Sequence, residues 1–425
     1  MRHAERWAGS GAVEHVQAGA GRFFEDDLPG ACSELSSAAA IAERGRAASV
    51  DGMAFHLRPR LLDLRDLTLE LEWTSLEQKR AMYVWWTRLA LSNGVTLSTD
   101  NFPIDRVGLW ELSFECDRPC DLRATCELGD FDFRNFERVV SLSIVERRDE
   151  RLAALKSAID AASEKGPKLE VGTAAMLSAL LNSLASASTE EHDYPGARLL
   201  AEAEQVVAAA AKGERWYGPQ RDGEFWLALP VGAAGVRTRV LVPSGLAKDK
   251  PAPLVLALHG RSFDEDTWFD GYGCGQSVEL ARKRGWVLAA PHCDGDEDAA
   301  KLEGIVKALA DVYPIDMKRV MLLGHSRGGG SALAALAQAP NHFRAVATIG
   351  SALAPERASE LTKRPLFLAA GDRDFARESV EALHKAFSAA NATNATFKLY
   401  RHVEHWLCVT VALPDVFAWF DAQQK

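Results

Sequence analysis

The stretch Gly324-His325-Ser326-Arg327-Gly328 decides how this chain is interpreted. The apolar run at residues 319–323 precedes it and predicts a strand, and the alanine-rich run at residues 328–337 follows it and predicts a helix. The stretch therefore predicts a sharp strand-to-helix turn with the serine at its apex. Glycine suits both ends of the turn, because a side chain there would collide with the adjoining strand or helix. The pattern also arises by chance in glycine-rich loops, so the serine needs chemical partners elsewhere.

Two later segments supply those partners in a consistent order. Residues 365–370 predict a buried strand that leads into Asp374, and residues 396–400 predict another that leads into the loop carrying His405. The carboxyl ends of parallel strands meet at one edge of an open sheet. We therefore expect Ser326, an aspartate and a histidine to lie together at that edge.

These three residue types are the ones that acyl transfer requires. A serine hydroxyl is a weak nucleophile, so a neutral imidazole takes its proton and later returns it to the leaving group. A buried carboxylate orients the imidazole, and backbone N–H groups stabilise the oxyanion. We expect one N–H from Arg327 and another from the turn at residues 259–262, where Arg261 is the candidate. This chemistry calls for no cofactor.

Residues 223–425 resemble the α/β-hydrolase superfamily. The similarity is carried by residues 256–260, 313–320 and 324–329, the last being the nucleophile elbow of that superfamily. Within it, the chain is most similar to the branch containing polyhydroxybutyrate-depolymerase-like, feruloyl and acetylxylan esterases. The resemblance implies an α/β fold with a doubly wound, mostly parallel sheet and a Ser-His-Asp triad that hydrolyses carboxylic esters. Arg261 departs from that pattern, since many relatives have a further glycine at this position.

The triad acid and base each have a rival. In relatives the second aspartate of Gly-Asp-x-Asp usually serves as the acid, which favours Asp374 over Asp372. His402 lies closer to the strand end and suits a structural or surface role, so His405 is the favoured base. The other histidines near predicted strand ends are assigned to packing (His259, His325) or to no role (His292).

The loop at residues 262–272 combines aromatic rings with four carboxylates. Aromatic rings give a broad contact surface, so Trp268 and Trp406 are candidate substrate-binding residues, with Phe269 and Tyr272 as further lining. In the alternative interpretation the rings pack the loop onto the domain and the carboxylates are solvated.

Composition narrows the class of protein. The chain has 425 residues, 47% of them hydrophobic, and a net charge of −10, which argues against nucleic acid or an anionic membrane as the main partner. Seven scattered cysteines do not predict a disulfide scaffold, and the cluster Cys116, Cys120 and Cys126 lacks the further ligands of a metal site. Residues 171–189 predict a buried helix rather than a membrane span. The first residues show no signal-peptide pattern, which favours a cytoplasmic location and leaves export open.

The pattern along the chain predicts four regions, because helical periodicity alternates with strand periodicity. They are a helical hairpin at 1–50, a small β-rich accessory domain at 51–146, a helical segment and linker at 147–222, and the catalytic domain at 223–425. We expect the accessory domain to be a small β-sandwich.

Three functions fit this sequence. The favoured one is a serine esterase acting on a small or polymeric ester. The second is a serine peptidase of the prolyl-oligopeptidase type, which disagrees with the lack of propeller repeats in the first half. The third is a silent hydrolase fold that only binds, which disagrees with an intact set of chemical residues. The sequence leaves the oligomeric state undetermined.

Overall fold

The computed structural model describes residues 11–45, 53–75, 86–100, 108–129, 135–186, 193–233, 235–293 and 299–424. The chain forms two compact units, Ser10–Trp216 and Tyr217–Lys425. The outer ends of the predicted helical hairpin, residues 1–10 and 46–50, lie outside the described residues. None of the described helices is long and apolar enough to span a membrane.

The N-terminal unit begins with two helices that pack against each other, α1 (Ala12–Phe24) and α2 (Leu28–Arg44). Asp27 caps α2 by accepting the Gly30 N–H at 3.0 Å. Eight strands follow: β1 (Met53–Arg58), β2 (Leu61–Asp63), β3 (Thr68–Ser75), β4 (Trp86–Leu91), β5 (Thr96–Asp100), β6 (Gly108–Ser113), β7 (Cys120–Gly129) and β8 (Asn135–Val145). They form a three-stranded sheet, β1-β3-β6, and a five-stranded sheet, β2-β8-β7-β4-β5.

The two small sheets share one apolar core. Leu57 and Leu71 come from the three-stranded sheet, and Leu89, Leu142 and Ile144 come from the five-stranded sheet. This arrangement agrees with the predicted β-sandwich. The separation of residues 51–146 from 147–222 stays a prediction.

Three helices complete the N-terminal unit: α3 (Arg148–Ala162), α4 (Lys168–Ala185) and α5 (Gly196–Ala211). Asp121 of β7 ties α5 to the sheet, because its carboxylate accepts the N–H groups of Ala197 and Arg198 at 2.8 and 3.1 Å. The same carboxylate accepts the Ser143 hydroxyl at 2.7 Å. A carboxylate at a helix N-terminus satisfies N–H groups that have no partner within the helix.

The C-terminal unit is built on one eight-stranded sheet. Its strands are β9 (Gly223–Leu229), β10 (Val236–Val242), β11 (Ala252–Leu258), β12 (Val287–Pro291), β13 (Ile315–His325), β14 (Ala345–Ile349), β15 (Leu366–Gly371) and β16 (Ala395–Tyr400). Their order is β16-β15-β14-β13-β11-β12-β10-β9. All neighbouring pairs from β16 to β12 are parallel, while β10 is antiparallel to both of its neighbours. The expected mostly parallel α/β sheet is confirmed.

Helices connect most of the parallel strands: α6 (Gln276–Arg284), α7 (Ala299–Ala310), α8 (Arg327–Gln338) and α9 (Arg377–Ala389). A further helix, α10 (Leu407–Ala422), follows β16. Every residue of β11, β12, β14 and β15 is buried. Such continuous apolar strands are typical of a sheet covered on both faces.

Strand register brings the site residues to one edge of the sheet. Leu258 of β11 pairs with Gly324 of β13, and His325 of β13 pairs with Ile349 of β14. Gly371 of β15 pairs with Tyr400 of β16. The segments after β11, β13, β14, β15 and β16 therefore all leave the sheet at its carboxyl edge.

Candidate active site

Ser326 occupies the predicted turn between β13 and α8. Its backbone has φ 52° and ψ −123°, a conformation that non-glycine residues rarely adopt. Its N–H donates to the Ile349 carbonyl at 3.0 Å, which holds the turn against β14. A Cβ at Gly324 would lie 2.4 Å from the Gly328 carbonyl oxygen, and one at Gly328 would lie 2.3 Å from the Leu258 carbonyl oxygen. Both glycines are therefore required by contacts with backbone atoms that cannot move aside.

The structure brings His405 and Asp374 together. His405 Nδ1 donates to Asp374 Oδ1 at 2.8 Å, and both side chains are buried. The Ala376 N–H donates to the same carboxylate oxygen, also at 2.8 Å. The two rivals pair with each other instead, since Asp372 accepts the backbone N–H of His402 at 2.7 Å.

Gly350 makes room for this pair. It follows β14 with φ 61°, and a Cβ there would lie 2.8 Å from both Asp374 Oδ2 and His405 Nδ1. Sequence analysis missed this glycine, because it belongs to no local motif. The only signal was its position directly after a buried strand.

Glu404 fixes the backbone on the other side of the histidine. Its carboxylate is buried and accepts the N–H groups of Trp406 and Leu407 at 2.9 and 2.6 Å, at the start of α10. Burial raises the pKa of Glu404, against the opposing effect of these two N–H donors. The capped helix start leaves the His405 backbone little freedom.

The two predicted oxyanion donors are the backbone N–H groups of Arg327, at the start of α8, and of Arg261, after the turn at His259 and Gly260. Arg327 is the first residue of α8, where a backbone N–H has no acceptor within the helix. Its guanidinium donates to the Cys293 carbonyl at 2.7 Å, which directs the side chain towards the segment after β12. His259 Nε2 accepts the Cys293 N–H at 2.9 Å, so its Nδ1 carries the proton and donates to the Gly260 carbonyl at 2.8 Å. Arg261 follows this turn with an exposed side chain.

A buried Tyr-His pair connects the oxyanion turn to the candidate base. Tyr272 Oη lies 2.5 Å from His325 Nδ1, and His325 Nε2 donates to the His405 carbonyl at 3.2 Å. A Cβ at Gly260 would lie 3.2 Å from His325 Nδ1 and 3.4 Å from Tyr272 Oη, so the pair packs against the oxyanion turn. Burial lowers the pKa of His325 well below its ordinary value and raises that of Tyr272, so the pair is neutral and Tyr272 donates. His325 therefore has a specific hydrogen-bonding role beyond the packing role expected from the motif.

Trp268, one of the two candidate substrate-binding residues, packs inside the loop as in the alternative interpretation, and its role in substrate binding stays a prediction. Trp268 has no exposed surface, and its ring packs edge-on against Tyr272 with centroids 4.7 Å apart. Trp406 is 6% exposed and lies 6.1 Å from the Phe263 ring. Its role in substrate binding stays a prediction.

Three of the four carboxylates of the acidic loop, those of Glu265, Asp266 and Asp270, are paired with arginines rather than simply solvated. Arg239 is buried between the rings of Trp226 and Phe269, with its guanidinium carbon 4.4 and 4.6 Å from the two centroids. It donates to Asp266 at 2.8 Å and also to Asp270. Nearby, Glu265 is buried and accepts from Arg237 Nε at 3.1 Å and from His292 Nδ1 at 3.0 Å. The loop is thus fixed to β10, and His292 acquires a structural partner.

In the described ranges, no group of three or more His, Cys, Asp or Glu side chains is placed to hold an ion. In the cysteine cluster, the sulfurs of Cys116 and Cys120 lie 3.9 Å apart and Cys126 is buried in the sandwich core.

Comparison with known proteins agrees with the topology. The family model described as alpha/beta hydrolase fold matches residues 270–417. A comparison with curated proteins finds no match.

Solved structures similar to this chain include three hydrolases. The feruloyl esterase module from Clostridium thermocellum, complexed with sinapinate, has 14% identity and a TM-score of 0.41 over 48% of this chain and 89% of that one. An S-formylglutathione hydrolase from Agrobacterium tumefaciens has 16% identity and a TM-score of 0.40 over 48% and 95%. A thermostable esterase has 12% identity and a TM-score of 0.42 over 85% and 98%. From the family-model match and the strand order, we conclude that the C-terminal unit has the α/β-hydrolase fold.

Proposed function

We propose that this protein is a serine esterase that hydrolyses carboxylic esters through an acyl-enzyme. Ser326 is the nucleophile, His405 the general base and Asp374 the residue that orients it. The observation that most supports this proposal is the 2.8 Å bond from His405 Nδ1 to Asp374 Oδ1, at the sheet edge where the Ser326 turn lies.

In the acylation step His405 Nε2 accepts the proton of the Ser326 hydroxyl as its oxygen attacks the ester carbonyl. The carbonyl oxygen becomes an oxyanion, which the backbone N–H groups of Arg327 and Arg261 stabilise. When the tetrahedral intermediate collapses, the imidazolium returns the proton to the departing alcohol. Asp374 stabilises the imidazolium and keeps Nδ1 protonated throughout.

In the deacylation step a water molecule replaces the alcohol. His405 takes a proton from the water as its oxygen attacks the acyl-enzyme carbonyl. When the second tetrahedral intermediate collapses, the bond to Ser326 Oγ breaks, the imidazolium returns the proton to that oxygen, and the acid is released. The same oxyanion donors serve both steps. Preorganised donors of this kind are each worth about 10²–10³ in rate.

The protein is tested with p-nitrophenyl esters of short and long acids and with peptide amides. We expect ester hydrolysis, and Ser326→Ala should lower kcat by about 10⁶. Asp374→Asn should lower kcat by about 10⁴, because it favours the wrong imidazole tautomer. Asp372→Asn is the matched control and should stay close to the native rate.

Four results would contradict the proposal. Ester hydrolysis that survives in Ser326→Ala rules out the nucleophile, and a greater loss in Asp372→Asn than in Asp374→Asn rules out the acid. Faster cleavage of peptide amides than of esters would favour the peptidase alternative. A folded native protein that turns over none of these substrates would favour the binding module.

A further inference from the structure

The residue directly after the proposed triad acid is an exposed aromatic one. Phe375 has 64% of its surface accessible, and it is the only aromatic among the exposed large hydrophobic residues of the described ranges. The exposed ring therefore offers an apolar contact surface next to the proposed site.

Phe375 lies against the ring of the candidate base. Its centroid is 4.2 Å from that of His405, with 32° between the ring planes. The His405 imidazole also contacts the His325 ring, with centroids 4.5 Å apart, and Gly350 adjoins its Nδ1 edge. Of these three neighbours of the imidazole, His325 and Gly350 are buried and Phe375 is exposed. Its ring therefore forms an apolar surface beside His405 that solvent can reach.

The proposed reaction determines which part of the substrate comes near this ring. His405 Nε2 returns the proton to the oxygen of the departing alcohol, so that alcohol lies beside the imidazole in the transition state. The acyl group is attached to Ser326 and leaves in the other half of the reaction. Phe375 is therefore on the alcohol side of the site.

We propose that Phe375 forms an apolar subsite for the leaving alcohol and that the enzyme favours esters of aryl alcohols over esters of small alkyl alcohols. An aryl group stacks on an exposed ring and covers apolar surface, whereas an ethyl group covers little of it. This inference rests on the proposed function, since it takes the identity of the base from it.

The hydrogen bonds that hold the Asp374–His405 pair do not pass through the Phe375 side chain. Asp374 is held by the Ala376 N–H, and the His405 backbone is held by His325. Truncating Phe375 should therefore change recognition of the alcohol more than it changes the chemistry.

The experiment varies the alcohol at a constant acyl group. Rates of 2-naphthyl acetate and ethyl acetate hydrolysis are compared in the native protein, Phe375→Ala and Phe375→Trp. We expect Phe375→Ala to lower kcat/KM for the naphthyl ester about tenfold more than for the ethyl ester, the usual upper size of an aromatic pair contact. Phe375→Trp should keep the native preference, because it keeps an aromatic surface.

Met317→Ala is the matched control. Met317 is a second exposed apolar side chain of the same unit, 47% accessible, but it lies near the start of β13 while Ser326 follows the other end. Its replacement should leave the ratio of the two ester rates unchanged. An equal loss for both esters in Phe375→Ala would overturn the inference, because the ring would then act on the base rather than on the alcohol.

A binding measurement separates failure of this inference from failure of the proposed function. The fluorescence of 2-naphthol reports its binding to Ser326→Ala, in which no turnover occurs. Adding Phe375→Ala should weaken that binding about tenfold. If 2-naphthol binds equally to Ser326→Ala and to the double variant, the subsite is overturned, whichever esters the native protein hydrolyses. If the double variant loses 2-naphthol binding and the native protein hydrolyses no ester, only the proposed esterase function is overturned.

Discussion

Replacing Tyr272 by phenylalanine tests whether the bonds behind the elbow hold the proposed base in place. The Tyr272 hydroxyl donates to His325 Nδ1, and His325 Nε2 donates to the His405 carbonyl. The substitution removes one oxygen atom and keeps the ring that packs against Trp268. Any effect therefore reports on the hydrogen bonds rather than on core volume.

The magnitude follows from one buried group that loses its partner. His325 Nδ1 is fully enclosed, and leaving a buried polar group unsatisfied costs about 1–3 kcal/mol. The free energy of unfolding should thus fall by about 1–3 kcal/mol. Without the tyrosine proton, His325 can protonate Nδ1 instead of Nε2, which removes its bond to His405. Since a misplacement of about 1 Å costs about 10² in rate, kcat should fall by about 10–100-fold with little change in KM.

Steady-state hydrolysis of p-nitrophenyl acetate and chemical denaturation measure the two effects on the same preparations. Tyr400→Phe is the control, because it removes a hydroxyl bonded to Asp415 at 2.6 Å outside this chain of bonds. It should leave kcat unchanged. If Tyr272→Phe leaves the free energy of unfolding unchanged, the buried hydrogen bonds do not stabilise the protein as argued. If the free energy of unfolding falls but kcat is unchanged, these bonds do not position His405.

Three further predictions concern stability and can be measured by denaturation. Gly328→Ala should prevent folding or destabilise by more than about 3 kcal/mol, since its Cβ would meet a carbonyl oxygen at 2.3 Å. Gly330→Ala, whose Cβ would have its nearest atom at 3.8 Å, should instead stabilise α8 by about 0.5–1 kcal/mol. Equal effects of the two substitutions would contradict the steric reason. Arg239→Met should destabilise by about 3–5 kcal/mol, because it leaves the buried carboxylate of Asp266 without its cation, and a neutral result would contradict this pairing. Burial lowers the pKa of His259 and His325 below 6.5, so the unfolded chain binds protons that the native one does not. Below pH 6.5 the free energy of unfolding should therefore fall as pH falls, by up to about 1.4 kcal/mol per pH unit for each histidine. A free energy of unfolding that stays constant between pH 7 and 5 would contradict this.

The sequence was sufficient for the features that depend on local periodicity. Buried strands ending near Gly324, Gly371 and Tyr400 were predicted to within a few residues, because continuous apolar runs bounded by glycine or charge have few other interpretations. The elbow glycines were also predictable, since their reason is the local backbone geometry of the turn. The pairing of His405 with Asp374 follows from strand order once the sheet is known to be parallel.

The contacts that cross the sequence were not predictable in this way. Tyr272 and His325 are 53 residues apart, and no periodicity indicates that a hydroxyl meets an imidazole there. The same holds for Arg239 and Asp266, which form a buried ion pair 27 residues apart. From the sequence alone, the carboxylates of this loop could equally have been solvated. The burial of Trp268 was not predictable either, because sequence does not show which aromatic ring of a loop turns inward.

The conformation of Ser326 places the proposed chemistry and thermal stability in opposition. A non-glycine residue at φ 52° and ψ −123° carries about 1–3 kcal/mol of backbone strain, which the surrounding bonds must offset. Glycine at this position would relieve the strain and remove the hydroxyl in the same step. Directed evolution of this protein by heat resistance alone would therefore enrich inactive chains, and a thermostability screen needs an activity filter at every round.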